Sequence, residues 1–300
     1  MTLITSCATN EYIIQVSDRR LTGSDGSFID TANKAVIFNG HTAFSYTGLA
    51  HIGGVATDIW LTNILSQCKQ QGDAVETIRK EASESIKKSR VAYQYKNLAF
   101  VQVGWAKLTK SSPLHPFICV ISNFHNKKWQ QQQHAQDEFV IMARPLIHMG
   151  SFGIYFSGQD VPPNLRREIA KQLLFIAQKT SKKQLGGEPV ARVIFEAMRK
   201  LASRNKFVSS ELIQTIIPKE AVLKNNRMVS VSFSRNDQIT CLYYPANSEE
   251  GVSYAPNYVS NGSVMTDIKF GSLEAMNKIF PPPKGSDMEK ITKFLLKENA

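Results

Sequence analysis

No apolar run in this chain is long enough to cross a bilayer. No basic stretch followed by an apolar one opens it, so the pattern of a secretory signal is missing. The four cysteines, Cys7, Cys68, Cys119 and Cys241, stand far apart and form no Cys-x-x-Cys pair. That excludes a redox motif, a cysteine-based zinc site and a dense disulfide framework. They are read as reduced thiols. The six histidines are scattered, and no pair has the spacing of metal ligands on a helix. No cofactor or metal is therefore expected. The interleaved aromatic and basic residues of single-strand binders are missing as well. The expectation is a cytoplasmic chain with no membrane and no nucleic-acid partner.

Charge is present but spread. The net charge of +11 is distributed over segments such as "IRKEASESIKKSR", "NLRREIAKQ" and "MRKLASRNK". Each alternates with apolar residues at helical spacing, which marks the solvated outer face of a helix rather than a nucleic-acid patch. An apolar fraction of 42 % is enough for a substantial core.

The order of periodicities is more informative. "TLITSCA" and "YIIQVSD" read as a hairpin, and "NKAVIFNG" and "TAFSYTG" as a second one turning at "NGH". Ile52, Val55, Ala56, Ile59, Trp60 and Ile64 then share a helical face, as do Val75, Ile78, Ala82 and Ile86. Strands return in "LAFVQVGWA", "FICVISNF", "EFVIMARP" and "SFGIYFSG". Two helices follow, with stripes Leu165, Ile169, Leu173, Ala177 and Val190, Ile194, Met198, Leu201. "MVSVSFSR" and "ITCLYYP" read as a last hairpin. Runs of strands alternating with helix pairs exclude a parallel βαβ sheet. The expected fold class is α+β, a four-layer αββα sandwich of two antiparallel sheets flanked by helix pairs. Residues 1–245 form that domain. Residues 246–300 are an extension ending in a short helix whose capping box is Ser286 and Glu289.

Chemistry points to the first residues. Thr2 follows the start methionine, and a small second residue allows Met1 to be removed. The mature chain then starts with a threonine that carries both a hydroxyl and a free α-amine, a nucleophile with its own base. Asp18 and Arg20 close the second strand, and Lys34 opens the third. A lysine entering a buried strand needs a partner, and Asp18 is the natural one. A cationic lysine beside the threonine favours loss of its proton. Gly48, in "SYTGLA", ends a strand where a backbone N–H can serve an oxyanion.

These residues, in the blocks "SDRRLTG", "NKAVIF" and "SYTGLA" with 16 residues from Thr2 to Asp18 and 16 more to Lys34, resemble the proteasome β-subunit family of N-terminal-nucleophile hydrolases, in a divergent bacterial-type form. The resemblance implies Thr2 as nucleophile, Asp18 and Lys34 as its supporting pair, Arg20 as a charge behind them and Gly48 as oxyanion donor. It implies a first specificity pocket lined by Leu21, Ala32, Val36, Tyr46, Ala50 and Gly54, with Thr22 pairing to an extended peptide. A homo-oligomeric ring is implied too, without a propeptide to remove and with any ATPase partner undefined. The chain departs from the family late. "FSGQD", with Ser157, matches a serine-glycine turn loosely. In "ASRNKFVSS", Asn205 stands where the family has an aspartate, and Ser209 and Ser210 come one and two places late. A threonine peptidase acting on peptide or amide bonds is the first expectation. A small-molecule amidase of the same fold and a silent scaffold subunit that keeps Met1 stand beside it.

Overall fold

The computed structural model describes residues 2–22, 27–30, 32–107, 111–145, 152–180, 187–223, 240–244, 252–254, 257–266 and 269–271. The chain opens with strands β1 (Leu3–Thr9) and β2 (Tyr12–Asp18), then the short β3 (Leu21–Thr22) and β4 (Phe28–Ile29). β5 (Ala35–Phe38) and β6 (Thr42–Gly48) follow, and a small ribbon, β7 (His51–Ile52) and β8 (Val55–Ala56), leads into helices α1 (Thr57–Ser66) and α2 (Gln71–Lys88). After a single 3₁₀ turn come β9 (Leu98–Lys107), β10 (Leu114–Ser122), β11 (Val140–Pro145) and β12 (Phe152–Gly158). Next are α3 (Pro163–Thr180), α4 (Gly187–Ala202), β13 (Leu212–Pro218) and the short α5 (Lys219–Leu223). The last elements are β14 (Thr240–Tyr244), β15 (Val252–Tyr254), β16 (Asn257–Ser260), β17 (Ser263–Met265) and β18 (Lys269–Gly271).

Two sheets organise a mixed α+β chain. One has five strands in the order β12-β1-β2-β13-β14, and the other seven in the order β11-β10-β9-β6-β5-β16-β17. The β1–β2 turn is tied by Thr9, whose hydroxyl accepts from the N–H groups of Glu11 and Tyr12. The β5–β6 turn is set by Asn39 and Gly40, both at positive φ (51° and 73°). Asn-Gly adopts that mirror-image turn with little strain, and its twist suits a two-residue hairpin.

Burial follows the pleat. Leu3, Cys7, Ile14 and Val16 form one apolar cluster with Ile169, Leu173, Ile194 and Met198 of α3 and α4. On the other sheet, Phe38, Phe44, Tyr46 and Phe100 join Leu61 of α1 and Ile78 and Ala82 of α2. Alternate residues of both sheets meet in a third cluster, with Ile4, Ala8 and Ile13 among Val101, Val103, Ile118 and Val120. Every strand of β1, β2, β6 and β9 is thus buried on both faces. The polar residues these strands carry, such as Thr5, Ser6, Gln15, Ser45 and Thr47, are buried with the apolar ones.

Three sequence expectations need correction. Ile52, Val55 and Ala56 match helical spacing but lie on the β7–β8 ribbon. Gly53 and Gly54 between them take φ of +58° and +84°, which a helix cannot contain, so α1 starts at Thr57. Leu212–Pro218, for which no element was expected, is the strand between β2 and β14 in the five-stranded sheet. Its sequence "LIQTIIP" has neither alternation nor flanking turn signals. The seven-stranded sheet is not wholly antiparallel, because β16 runs parallel to β5. A long connection permits that direction, whereas a tight hairpin does not. The expected strand in "MVSVSFSR" and the terminal helix at Ser286 lie outside the described residues. Among the described residues no helix is long and apolar enough to cross a membrane.

Candidate active site

Thr2 lies one residue before β1 and is 3 % exposed. Its carbonyl accepts from the N–H of Gln159 (2.9 Å) and from the Thr47 hydroxyl (3.2 Å). The residue is therefore pinned between the end of β12 and the end of β6. Gly158 makes this possible, with φ at +88° and no side chain to strike the Thr2 carbonyl.

The Thr2 hydroxyl accepts a hydrogen bond from the Lys34 ammonium. That ammonium also donates to Asp18 Oδ1 (3.2 Å) and to the Arg20 carbonyl. Lys34 and Asp18 are both fully buried. The second oxygen of Asp18 accepts from the N–H of Leu3 at 2.7 Å, and Oδ1 from the N–H of Arg20 at 3.0 Å. One carboxylate thus orders the backbone next to the nucleophile and holds the lysine that touches it. Burial pushes the Lys34 ammonium down from the ordinary lysine range, opposed by Asp18. Burial also pushes the Asp18 carboxyl up, opposed by Lys34 and by the N–H groups of Leu3 and Arg20.

Arg20 is turned outward. Its guanidinium grips Asp30 in a fork, at 2.7 and 2.6 Å, a geometry arginine matches well. This hydrogen bonding holds the Asp30 carboxyl below its usual range, with Ser209 contributing. Arg20 also donates to the carbonyls of Lys206 and Val208. The segment between α4 and β13 is thereby fastened to the strand that carries Asp18. Arg19, the other arginine of the "DRR" run, bonds Ala32 through Nε at 3.0 Å and pairs with Glu211 at 3.6 Å. Gly158 and Gln159 fall in "FSGQD" and Thr47 in "SYTGLA", but no role was expected of these three residues. Asp30 was not singled out, and could have been sought as an acid needed by a half-buried arginine.

Gly48 has φ +112°, and a Cβ there would lie 1.9 Å from the Asn97 carbonyl. Only glycine fits. The expected pocket residues come from several elements. Val36 and Tyr46 are enclosed in the cluster facing α1 and α2, and burial pushes the Tyr46 phenol up. Leu21 and Thr22 pair with Ile29 and Phe28 on a separate ribbon. Ala32 is 8 % exposed, Ala50 lies just before β7 with its carbonyl accepting from the Thr57 N–H, and Gly54 is exposed. Ser157 is buried on β12 opposite Ile4. Asn205 accepts from the Phe207 N–H, closing a turn within its own loop. Ser209 is buried and bonds the Glu211 N–H, while Ser210 is half-buried. A cleft of 550 Å³ runs between the start of α3 and the end of α4, lined by Gln159, Pro162, Leu165, Arg204, Asn205 and Lys206.

Cys7 and Cys119 offer no competing nucleophile. Burial pushes the Cys7 and Cys119 thiols up to about 12 each, and a buried neutral thiol is inert. Among the described residues no cluster of histidines, cysteines and carboxylates could hold a metal ion.

No family model matches the sequence, and no curated protein matches it. Among solved structures the chain is similar to Anbu (ancestral beta-subunit) from Yersinia bercovieri, with 12 % identity and a TM-score of 0.44 over 72 % of this chain and 81 % of that chain.

Proposed function

We propose that the chain is an N-terminal threonine amide hydrolase, a proteasome-like peptidase built as a four-layer αββα sandwich. The observation that carries this reading is the Lys34 ammonium, buried with Asp18 and bonded to the hydroxyl of Thr2. A buried ion pair adds little to stability by itself, so its contact with a hydroxyl at the start of the chain asks for a chemical role.

The reaction follows from those groups once Met1 has been removed. The free α-amine of Thr2 takes the hydroxyl proton while Oγ1 attacks the substrate carbonyl. Lys34, as a cation, favours the developing alkoxide. The negative oxygen of the tetrahedral intermediate is stabilised by the N–H of Gly48. The C–N bond breaks, the amine's extra proton passes to the leaving nitrogen, and an ester to Thr2 remains. Water then gives a proton to the amine and attacks the ester. The acid departs and Oγ1 regains its proton. Arg20 holds the frame behind Asp18. Leu21, Thr22 and Ala50 flank the substrate, and Tyr46 fills the volume beneath its side chain. A homo-oligomeric ring is part of this reading, as is a cytoplasmic setting.

The test is intact-mass measurement of the purified protein with and without a peptide epoxyketone, which needs both hydroxyl and free amine. Loss of Met1 and a single adduct on Thr2 are expected. Met1 retained on all molecules, with no adduct, would favour the silent scaffold. An adduct without hydrolysis of any peptide would favour the small-molecule amidase.

A further inference from the structure

Lys34 reaches Thr2 from the start of β5, a strand of only four residues. β6 pairs along one edge of it. The other edge is closed by β16, more than two hundred residues later, with Asn257 opposite Val36, Tyr258 opposite Ile37 and Val259 opposite Phe38. Asn257 is 3 % exposed. Its Oδ1 accepts from Asn33 Nδ2 at 2.9 Å, and its Nδ2 donates to the Thr62 hydroxyl at 3.2 Å.

The roles in this chain are fixed. Thr62 is buried on α1 and gives its only hydroxyl proton to the Asp58 carbonyl (2.7 Å). Towards Asn257 it can only accept. Asn33 presents an N–H. Position 257 must therefore offer a donor and an acceptor together, which is what an amide has. Asn33 is the residue immediately before Lys34. The same stretch is gripped from the far side, where Ala32 exchanges hydrogen bonds with Arg19.

We propose that Asn257 is a positioning residue for Lys34: by tying Asn33 to Thr62 it fixes where β5 begins and holds the lysine ammonium on the Thr2 hydroxyl. Its effect on turnover rests on the threonine-hydrolase reading, whereas its effect on Lys34 rests on the geometry alone. A lysine side chain that must meet Thr2, Asp18 and the Arg20 carbonyl at once has little tolerance. A misplacement of about 1 Å can reduce a rate by about 100-fold.

The experiment compares the full-length parent with Asn257→Ala and, should that variant fold poorly, with Asn33→Ala, which cuts the same link from its other end. Lys34 is titrated by NMR in protein labelled with ¹³C-lysine, its signal assigned by loss in Lys34→Arg. The charges that face it, Asp18, Arg20 and Asp30, are the same in every protein compared. In the parent, Lys34 titrates below ordinary lysines. In the folded variants it moves up towards them, kcat falls by about 10- to 100-fold and KM stays within about twofold. The high-pH limb of kcat moves upward with it. Lys34 titrating as in the parent, in a folded variant, overturns the proposal even if turnover drops. A parent without turnover whose Lys34 still responds to Asn257→Ala supports the positioning role and removes the hydrolase reading instead.

Discussion

Gly158 passes Thr2 so closely that a Cβ on residue 158 would stand 1.8 Å from the Thr2 carbonyl oxygen and 2.8 Å from the Thr47 hydroxyl. The approach lets the next N–H, that of Gln159, bind the same carbonyl. Gly158→Ala is expected to lower stability by about 1–3 kcal/mol, the range for a residue forced into a sparsely populated backbone conformation. It should reduce turnover further than that, because the clash falls on the nucleophile's own peptide group. Urea denaturation and peptide hydrolysis measured on the same samples separate the two effects. Parent-like turnover would show that the carbonyl need not be held.

The nucleophile itself gives a second prediction. Thr2→Ala removes one hydroxyl and should abolish turnover and epoxyketone adduct formation while the thermal midpoint stays within a few degrees of the parent. Thr2→Ser should keep measurable activity. Full activity in Thr2→Ala would sink the mechanism.

Lys34 and Asp18 yield a third. Removing one member leaves a buried charge alone, and either Asp18→Asn or Lys34→Met should destabilise by about 3–5 kcal/mol. Both shifts run against the charged pair. With its folded pKa raised, Asp18 contributes stability that is full below the ordinary carboxylate range and lost as pH rises through the folded value. With its folded pKa lowered, Lys34 contributes stability that is full above the ordinary lysine range and lost as pH falls through the folded value. Between these limits, desolvation of the pair opposes folding. The double variant Asp18→Asn/Lys34→Met keeps an acceptor for the Leu3 and Arg20 N–H groups. It should be more stable at pH 7 than either single variant, yet inactive. Additive losses in the double variant would mean that the pair does not couple.

A fourth prediction follows from Lys34 as a catalytic cation. Its ammonium is held below the ordinary lysine range by burial, so kcat should fall with rising pH before exposed lysines, near 10.4, titrate. A profile flat to that point would assign Lys34 a structural role only.

Tyr46 is 1 % exposed among Val36, Phe44 and Leu61. Tyr46→Ala should therefore destabilise by about 3–5 kcal/mol, as deletion of a large buried aromatic does. If the side chain also closes the base of the substrate pocket, fluorogenic peptides that differ only before the cleaved bond should show a shift towards larger apolar residues. An unchanged profile would confine Tyr46 to the core.

The N-terminal hairpins could be read from sequence because their turns are local. Asn39-Gly40 announces itself, and "TAFSYTG" coincides with β6. The meeting of Thr2, Asp18 and Lys34 could be anticipated because all three sit at strand ends of the two N-terminal hairpins. What stayed hidden depends on distant pairing. β13 is buried on both faces and shows no alternation. Ile52 and Val55 imitate a helix until two left-handed glycines break it. Asp30 joins the site through an arginine fork, Gln159 through a backbone N–H, and Asn257 through a parallel strand. None of these leaves a periodic trace.

β16 also bears on the order of events during synthesis. Thr2, Asp18 and Lys34 leave the ribosome within the first few dozen residues. The edge of β5 that steadies the lysine stays open until residues 257–260 arrive. β2, which brings in Asp18, likewise becomes an interior strand only when β13 is made. A nascent chain therefore carries its reactive residues long before it carries the strands that align them. Assembly of the site coincides with completion of the sheets, so an unfinished chain holds the parts of a catalyst without being one.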